Sequence, residues 1–398
     1  MKLLYIDDIP TPYRLGVFKL LKQNLSGTFK VLFCSKYEPD RNWKLNFSDL
    51  DYEILHGIKW RPKNQKNPIS FKLNLNIISK IKKNNPAIVV LCGYMHPTMQ
   101  LAAWYCRKKN IPYGVSCESS FLQSKTSGFK WKLKQKLLTP IINGMSFGLP
   151  VGSKAEEYLK ALGAKKQPMY YFPNCPDVSD IVAISKKKEE YETKLRNQFN
   201  IPKKNKIILF VGRLIDAKRP MDLVYAFNKI DKKISKNWTL LIVGEGALKN
   251  KILNFKSKIS HQPQTTNHQS LITNIVLSGW LQPEDVYKIM SISTLMVLPS
   301  EHEPWGAVVN EAMTAGTPVI ASDSVGAAYD LIEDIQTGFV FKTGNVDELK
   351  AILVNIMKDK SILTVMSLEA QKKSIKMGHE FAADNLLKVV ENFTTNLR

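Results

Sequence analysis

Twelve short apolar runs punctuate this chain, and longer stretches with helical spacing separate most of them. The runs lie at 3–6, 31–33, 88–91, 113–116, 146–150 and 169–172, then at 207–211, 240–243, 275–277, 295–298, 319–321 and 339–341. Brief continuous runs rich in Val, Ile and Leu suit strands buried on both faces. Helix-length segments between them supply the crossovers that parallel strands need. The pattern predicts a doubly wound parallel α/β sheet, and it occurs twice. At 398 residues the chain is long enough for two domains with separate cores. Ligands of such sheets bind beyond the carboxyl ends of the strands, here in a cleft between two domains. The join is expected between Pro173 and Pro202. The charged run 186–196 reads as a solvated helix. The stretch 256–274, rich in Gln, Asn, His, Ser and Thr, reads as a polar loop in which His261 and His268 are solvated.

The run at 295–298 leads into Ser300-Glu301-His302-Glu303-Pro304-Trp305-Gly306, and 306–314 reads as a helix stopped by Gly316 and Pro318. A strand that feeds a glycine-opened helix presents backbone N–H groups and the positive end of a dipole, which suits a phosphate. Glu303 then sits on the loop, and Glu311, eight positions on, lies inside the helix. Two carboxylates so spaced can hold different hydroxyl-bearing parts of one extended ligand, and a nucleotide-sugar is such a ligand. A second strand, 207–211, exits through Gly212-Arg213-Leu214-Ile215-Asp216-Ala217-Lys218 into a helical run at 220–230. Arg213 offers a planar fork for phosphate oxygens and Lys218 a mobile point charge. The strand at 240–243 ends in Gly244-Glu245-Gly246, where tight turning explains the glycines better than a nucleotide does.

The string Pro299-Ser300-x-x-Glu303-Pro304-Trp305-Gly306-x-x-x-x-Glu311-Ala312-Met313-x-Ala315-Gly316-x-Pro318-Val319-Ile320-Ala321 resembles the E-x7-E signature of retaining nucleotide-sugar glycosyltransferases of family 4, the glycosyl transferases group 1. The resemblance implies the GT-B fold, two Rossmann-like domains facing across a cleft, with a C-terminal helix returning to the first domain. It places an acceptor-side domain at 1–175, a donor-binding domain at 176–379 and the returning helix at about 380–398. By the same resemblance Arg213 and Lys218 clamp the donor diphosphate on the Gly212 loop, with amides near Gly306 and Ala307 beside Trp305. Glu303 takes sugar hydroxyls, Glu311 the nucleotide ribose, and the backbone around Trp280 and Leu281 the base. Catalytic candidates are Glu303, Arg213, Lys218 and Glu118. Neither cofactor nor metal is expected, since the clamp can neutralise the leaving group. The implied reaction moves a sugar from a UDP- or GDP-sugar to a glycan hydroxyl with retention, while the domains close over the cleft.

The first half is read less sharply. The strand at 3–6 exits through Asp7-Asp8-Ile9-Pro10-Thr11-Pro12-Tyr13-Arg14-Leu15-Gly16. In GT-B enzymes this loop borders the cleft, often in glycine-rich form. Only Gly16 is left here, so Tyr13 and Arg14 are candidates for cleft contacts, with Arg14 on the helix surface as the alternative. His96 follows the strand at 88–91, as either an acceptor contact or a loop residue. Glu118 stands near the point where many family members carry histidine. A carboxylate there could orient the acceptor hydroxyl or stabilise charge on the sugar ring.

Charge bears on partners. The net charge is +22, and 33 Lys and Arg against 15 Asp and Glu put +18 of it on residues 1–200. Such asymmetry points to an anionic partner. With no nucleic-acid-binding motif, an anionic membrane surface or a lipid-linked glycan acceptor fits better than nucleic acid. Lys125, Lys130, Lys132, Lys134 and Lys136 interleave with Phe129, Trp131, Leu133, Leu137 and Leu138, a composition that a lipid surface and an ordinary surface helix both accommodate. No run of 18 apolar residues occurs, and five cysteines without metal spacing read as reduced thiols. The expected setting is the cytoplasm, peripheral on the inner face of the plasma membrane, in surface polysaccharide or oligosaccharide biosynthesis. The rival readings are a GT-B phosphorylase or hydrolase, and a non-catalytic basic protein that coats membrane or nucleic acid.

Overall fold

The computed structural model describes residues 2–37, 45–60, 71–123, 128–260, 274–359 and 361–395. It comprises two compact units, Met1–Asp177 with Met377–Arg398, and Val178–Lys376.

The first unit holds β1 (Lys2–Asp7), β2 (Thr28–Phe33), β3 (Tyr52–Ile54), β4 (Ile58–Trp60), β5 (Phe71–Leu73), β6 (Ile88–Cys92), β7 (Tyr113–Cys117) and β8 (Phe147–Pro150). Its main sheet runs β3-β2-β1-β6-β7-β8 with every pairing parallel, and β4 and β5 form a separate antiparallel pair. Tyr5, Phe18, Val31, Phe33, Val90 and Phe147 pack its core. The last helix, His379–Thr395, completes that core with Ala382, Leu386 and Val389. It lies against the helix Pro12–Asn24, where a Cβ on Gly16 would come within 2.1 Å of the His379 ring.

The second unit repeats the plan with β9 (Lys206–Val211), β10 (Trp238–Val243), β11 (Ile275–Gly279), β12 (Leu295–Leu298), β13 (Val319–Ser322) and β14 (Gly338–Phe341). These run β11-β10-β9-β12-β13-β14, again all parallel. In both sheets the strand order reverses beside the first strand, between β1 and β6 and between β9 and β12. Loops leaving those strands at their carboxyl ends are where such sheets take ligands.

Four expectations need correction. The segment 169–172 is no full strand: it follows the edge of β8 through one bridge, Gly148 to Met169, and the bonds Tyr170 N–H to Gly148 O and Phe172 N–H to Pro150 O. Pro168 and Pro173 flank it and have no N–H to extend a ladder. The charged run at 186–196 is not one helix, for Val178–Lys186 and Lys188–Gln198 meet at Lys187. Residues 256–260, expected in a loop, finish the helix Lys249–Ser260; residues 261–273 of that loop, with His261 and His268, lie outside the described residues. The three-residue strands β3, β4 and β5 were not expected, because their apolar content is too short to show a period.

Candidate functional site

Two loops flanking the β9/β12 switch point build the most chemically loaded corner of the second unit. After β9 the chain runs through Gly212 and Arg213 into a single 3-10 turn, Asp216–Lys218. That turn is held on the β12 loop, because the N–H groups of Glu301 and His302 donate to Ala217 O at 2.9 and 3.3 Å. The contact sets Lys218 Nζ against Glu303 Oε2, an ion pair between two mostly buried side chains whose residues lie 85 positions apart. Arg213 is exposed at the mouth of β9. Arg219, in the left-handed region at φ 49°, turns back to Asp222 at 2.7 Å and Glu301 at 3.3 Å.

Pro304-Trp305-Gly306 forms the turn above the helix Ala307–Thr314. Gly306 has φ 95°, a conformation that costs most side chains 1 kcal/mol or more. The first-turn N–H groups of that helix have no carbonyl of their own helix to bond. They therefore open beside Glu303, at the positive end of the helix dipole. Gly326 N–H donates to Glu303 O at 3.0 Å and Ala327 N–H to Trp305 O at 2.8 Å, so the loop after β13 braces the turn. Reasoning from sequence missed this brace; the small-residue run Val325-Gly326-Ala327-Ala328 after a strand was its only signal.

The structure separates the expected donor residues into two groups. Glu303, Lys218, Gly306 and Ala307 are brought together at one corner, and Arg213 stands on the same β9 loop. Glu311 is buried on the following helix, in the turn that holds Asn310 and Thr314. Trp305, expected beside the ligand, is buried under the turn, so it shapes the site from below. Trp280 is 54% exposed after β11, next to the half-buried Leu281, and Gly279 before it turns at φ 77°. After β10 the glycines serve packing, since a Cβ on Gly244 would sit 1.9 Å from Gly212 O. Gly212 N–H and Leu214 N–H close that contact on Val243 O and Glu245 O. His302, to which no role was given, precedes Glu303 on the β12 loop within electrostatic reach of Glu303 and Lys218, and burial lowers its pKa.

In the first unit the carboxyl ends of the switch strands look different. Arg14 is 2% exposed: its guanidinium stacks on Phe172 at 4.2 Å and donates to Phe172 O and Pro173 O at 3.1 and 3.2 Å. That corrects the surface reading, and it ties the first helix to the segment leading out of the unit. Gly16 does not lie on a phosphate loop but inside the helix Pro12–Asn24, where the approach of His379 demands it. Asp7 is buried, and desolvation pushes its carboxyl up to about 6 despite the nearby Arg14 and Cys92. His96 Nε2 stands 3.2 Å from Asp8 Oδ1, which also receives the buried Lys72 Nζ at 2.7 Å. Glu118 Oε1 accepts from Asn174 Nδ2 at 2.8 Å. Tyr13 is half-buried in the first helical turn. Among the described residues no three His, Cys, Asp or Glu are grouped to hold a metal ion, and no helix is long and apolar enough to cross a membrane.

This corner, two loops at a switch point joined by a Lys–Glu pair over a glycine-capped helix, falls inside a recognisable sequence region. Residues 192–374 match the family described as glycosyl transferases group 1. Among relatives, N-acetyl-alpha-D-glucosaminyl L-malate synthase of Bacillus anthracis is 27% identical over 184 residues, 45% of this chain and 43% of that protein. UDP-Gal:alpha-D-GlcNAc-diphosphoundecaprenol alpha-1,3-galactosyltransferase of Escherichia coli is 27% identical over 170 residues, 42% of this chain and 41% of that one. The chain thus spans about half the length of the curated relatives it matches. Among solved structures, Anabaena HepE in complex with UDP superposes with a TM-score of 0.73 at 16% identity, over 98% of this chain and 100% of that one. HepE is also solved with UDP-glucose. At that identity the likeness establishes the fold, and the fold is GT-B.

Proposed function

We propose that this protein is a glycosyltransferase of group 1, a retaining enzyme of family 4 that moves a sugar from a UDP- or GDP-sugar to a hydroxyl of a lipid-linked glycan. The observation that carries the reading is the Lys218–Glu303 pair beside the Gly306-capped helix, with Arg213 on the same β9 loop. Lys218 and Arg213 take the diphosphate, and the first amides of the helix add a fixed dipole. Glu303, already held by Lys218, offers its second oxygen to sugar hydroxyls, and Glu311 takes the ribose. Trp280 and Leu281 flank the base.

In the reaction so read, the acceptor oxygen bonds to the anomeric carbon on the face from which the diphosphate departs. The bond between that carbon and the phosphate oxygen breaks, and the acceptor's proton passes to the leaving phosphate. Cations placed where negative charge develops lower the barrier more than they tighten substrate binding. Charge neutralisation by side chains makes a divalent ion unnecessary, so activity should survive chelation by EDTA. The UDP-bound neighbour and the diphosphoundecaprenol-linked substrate in a relative's name support the donor and acceptor classes.

Thermal shift against UDP, GDP and their sugars tests the donor. A nucleotide at 100 times its Kd should add roughly 2.7 kcal/mol of stability, and the shift should vanish in Arg213→Ala. No shift with any nucleotide would remove the donor site. Proton NMR of the product tests retention: an inverted anomeric coupling would refute the single-face reaction.

A further inference from the structure

The helix Phe129–Asn143 in the first unit is turned inside out relative to an ordinary surface helix. Its inner face is held largely by polar groups. Lys134 Nζ donates to Tyr158 Oη at 2.6 Å, Gln135 to Ala161 O at 2.9 Å and Thr139 to Leu162 O at 2.8 Å. Trp131 packs with Phe121 and Tyr158, and Leu138 and Ile142 are buried. The apolar stripe faces outward: Phe129 is 80% exposed, Leu133 46% and Leu137 65%. At 100° per residue these three and the exposed Pro140 fall within an arc of about 80°. Exposed Lys132 and Lys136 border that arc on one side, and exposed Lys130 on the other.

Leaving three large apolar side chains in water is costly, and such a contiguous patch marks an interaction surface. Its chemistry selects the partner. No acidic residue occurs between Glu118 and Glu156, so nothing on this stretch opposes an anionic surface. The neighbouring helix Pro97–Lys108 adds a half-exposed Trp104 with Lys108 Nζ 5.2 Å from its ring, and its Arg107 packs against Gly144. Aromatic and leucine side chains between lysines are what a helix lying in a headgroup layer presents.

The geometry points to the outer face of the helix Phe129–Asn143 as a docking surface for an anionic lipid bilayer. Phe129, Leu133 and Leu137 enter the acyl boundary, while Lys130, Lys132 and Lys136 meet the headgroups. The inner-face bonds of Lys134, Gln135 and Thr139 keep the helix folded before it docks, so binding orders nothing new and its cost is small. The inference deepens the lipid-linked acceptor reading by naming the surface that would bring the enzyme to its acceptor, though vesicle binding can be measured without any turnover.

Flotation of the full chain with vesicles of phosphatidylcholine, alone or mixed with phosphatidylglycerol, tests it. The wild type should float with the mixed vesicles, not with the neutral ones, and high salt should release it. Lys130→Gln/Lys132→Gln/Lys136→Gln should lower partitioning roughly a hundredfold, at about fivefold per charge removed. Phe129→Ser/Leu133→Ser/Leu137→Ser should abolish it with melting unchanged, since those side chains are exposed. Either triple variant floating like wild type would overturn the proposal, as would a wild type that ignores anionic vesicles. A dimer detected by light scattering without vesicle binding, and lost in the serine variant, would overturn it in favour of a second copy as partner. The UDP shift, read on the same samples, reports separately on the donor site, so failure of one reading is not mistaken for failure of the other.

Discussion

The two units carry the same six-stranded parallel plan, yet they use charge at the switch point in opposite ways. In the second unit Arg213 is exposed, and Lys218 and Glu303 pair with each other in loops that leave their side chains 15% and 14% exposed. In the first unit the corresponding strand ends bury their charge: Arg14 is committed to Phe172 and Pro173, and Asp7 is closed off from water. A doubly wound sheet therefore supplies a place for a ligand, not a ligand site. The residues in the loops decide whether a strand end binds or holds the unit together.

The sharpest break in that comparison is Lys218→Ala. If the second unit's charges act on the leaving group, the variant should lose about 10²–10³-fold in kcat. Its stability should fall by less than its rate, about 1–3 kcal/mol, because the two side chains are only 15% and 14% exposed and the Glu303 carboxylate is left without its partner. A variant that unfolds early while the residual folded fraction turns over normally would make the pair structural and erase the contrast between the units. Arg14→Met should do the reverse. Two carbonyls would lose charged donors inside the core, at about 2–4 kcal/mol of stability. Hydrogen exchange should read this in β1 and β6, with the UDP shift of the second unit kept.

Asp7 sharpens the comparison through pH. Burial lifts its carboxyl from 3.8 to about 6, so the folded chain holds a proton that the unfolded chain has released. The group's contribution is full below pH 3.8, falls as pH rises towards 6, and is level above that. The full span is about 3 kcal/mol at most. Asp7→Asn should remove this slope from melting curves between pH 4 and 7, and an unchanged slope would place Asp7 in contact with water. The smallest effect belongs to Trp280→Ala. Loss of an exposed stacking ring should weaken UDP by roughly fivefold, about 1 kcal/mol, and no change in Kd would return Trp280 to the surface.

Part of the site was legible because it is local. Ser300 to Met313 carries strand exit, turn glycine and helix in one segment, and Gly306 was readable as a turn residue from its neighbours alone. The β9 loop was legible for the same reason. Arg14 and Gly16 were not, because what decides them lies at Phe172 and His379, more than 150 positions away in the chain. A side chain's burial depends on which distant segment covers it, and periodicity carries no record of that partner. The helix Phe129–Asn143 makes the same point. Its stripe of Phe129, Leu133 and Leu137 is plain in the sequence, and the ordinary rule would turn it inward.

The sequence alone determined the doubled strand–helix rhythm, the switch-point motifs and the concentration of positive charge in residues 1–200. Those features rest on period, turn chemistry and composition, which act over a few residues or over the whole chain. Tertiary structure alone decided that Lys218 meets Glu303, that Arg14 is buried, and that an apolar helical stripe faces outward. Each depends on contacts between residues far apart in sequence, and packing chooses such contacts by shape and by satisfied polar groups.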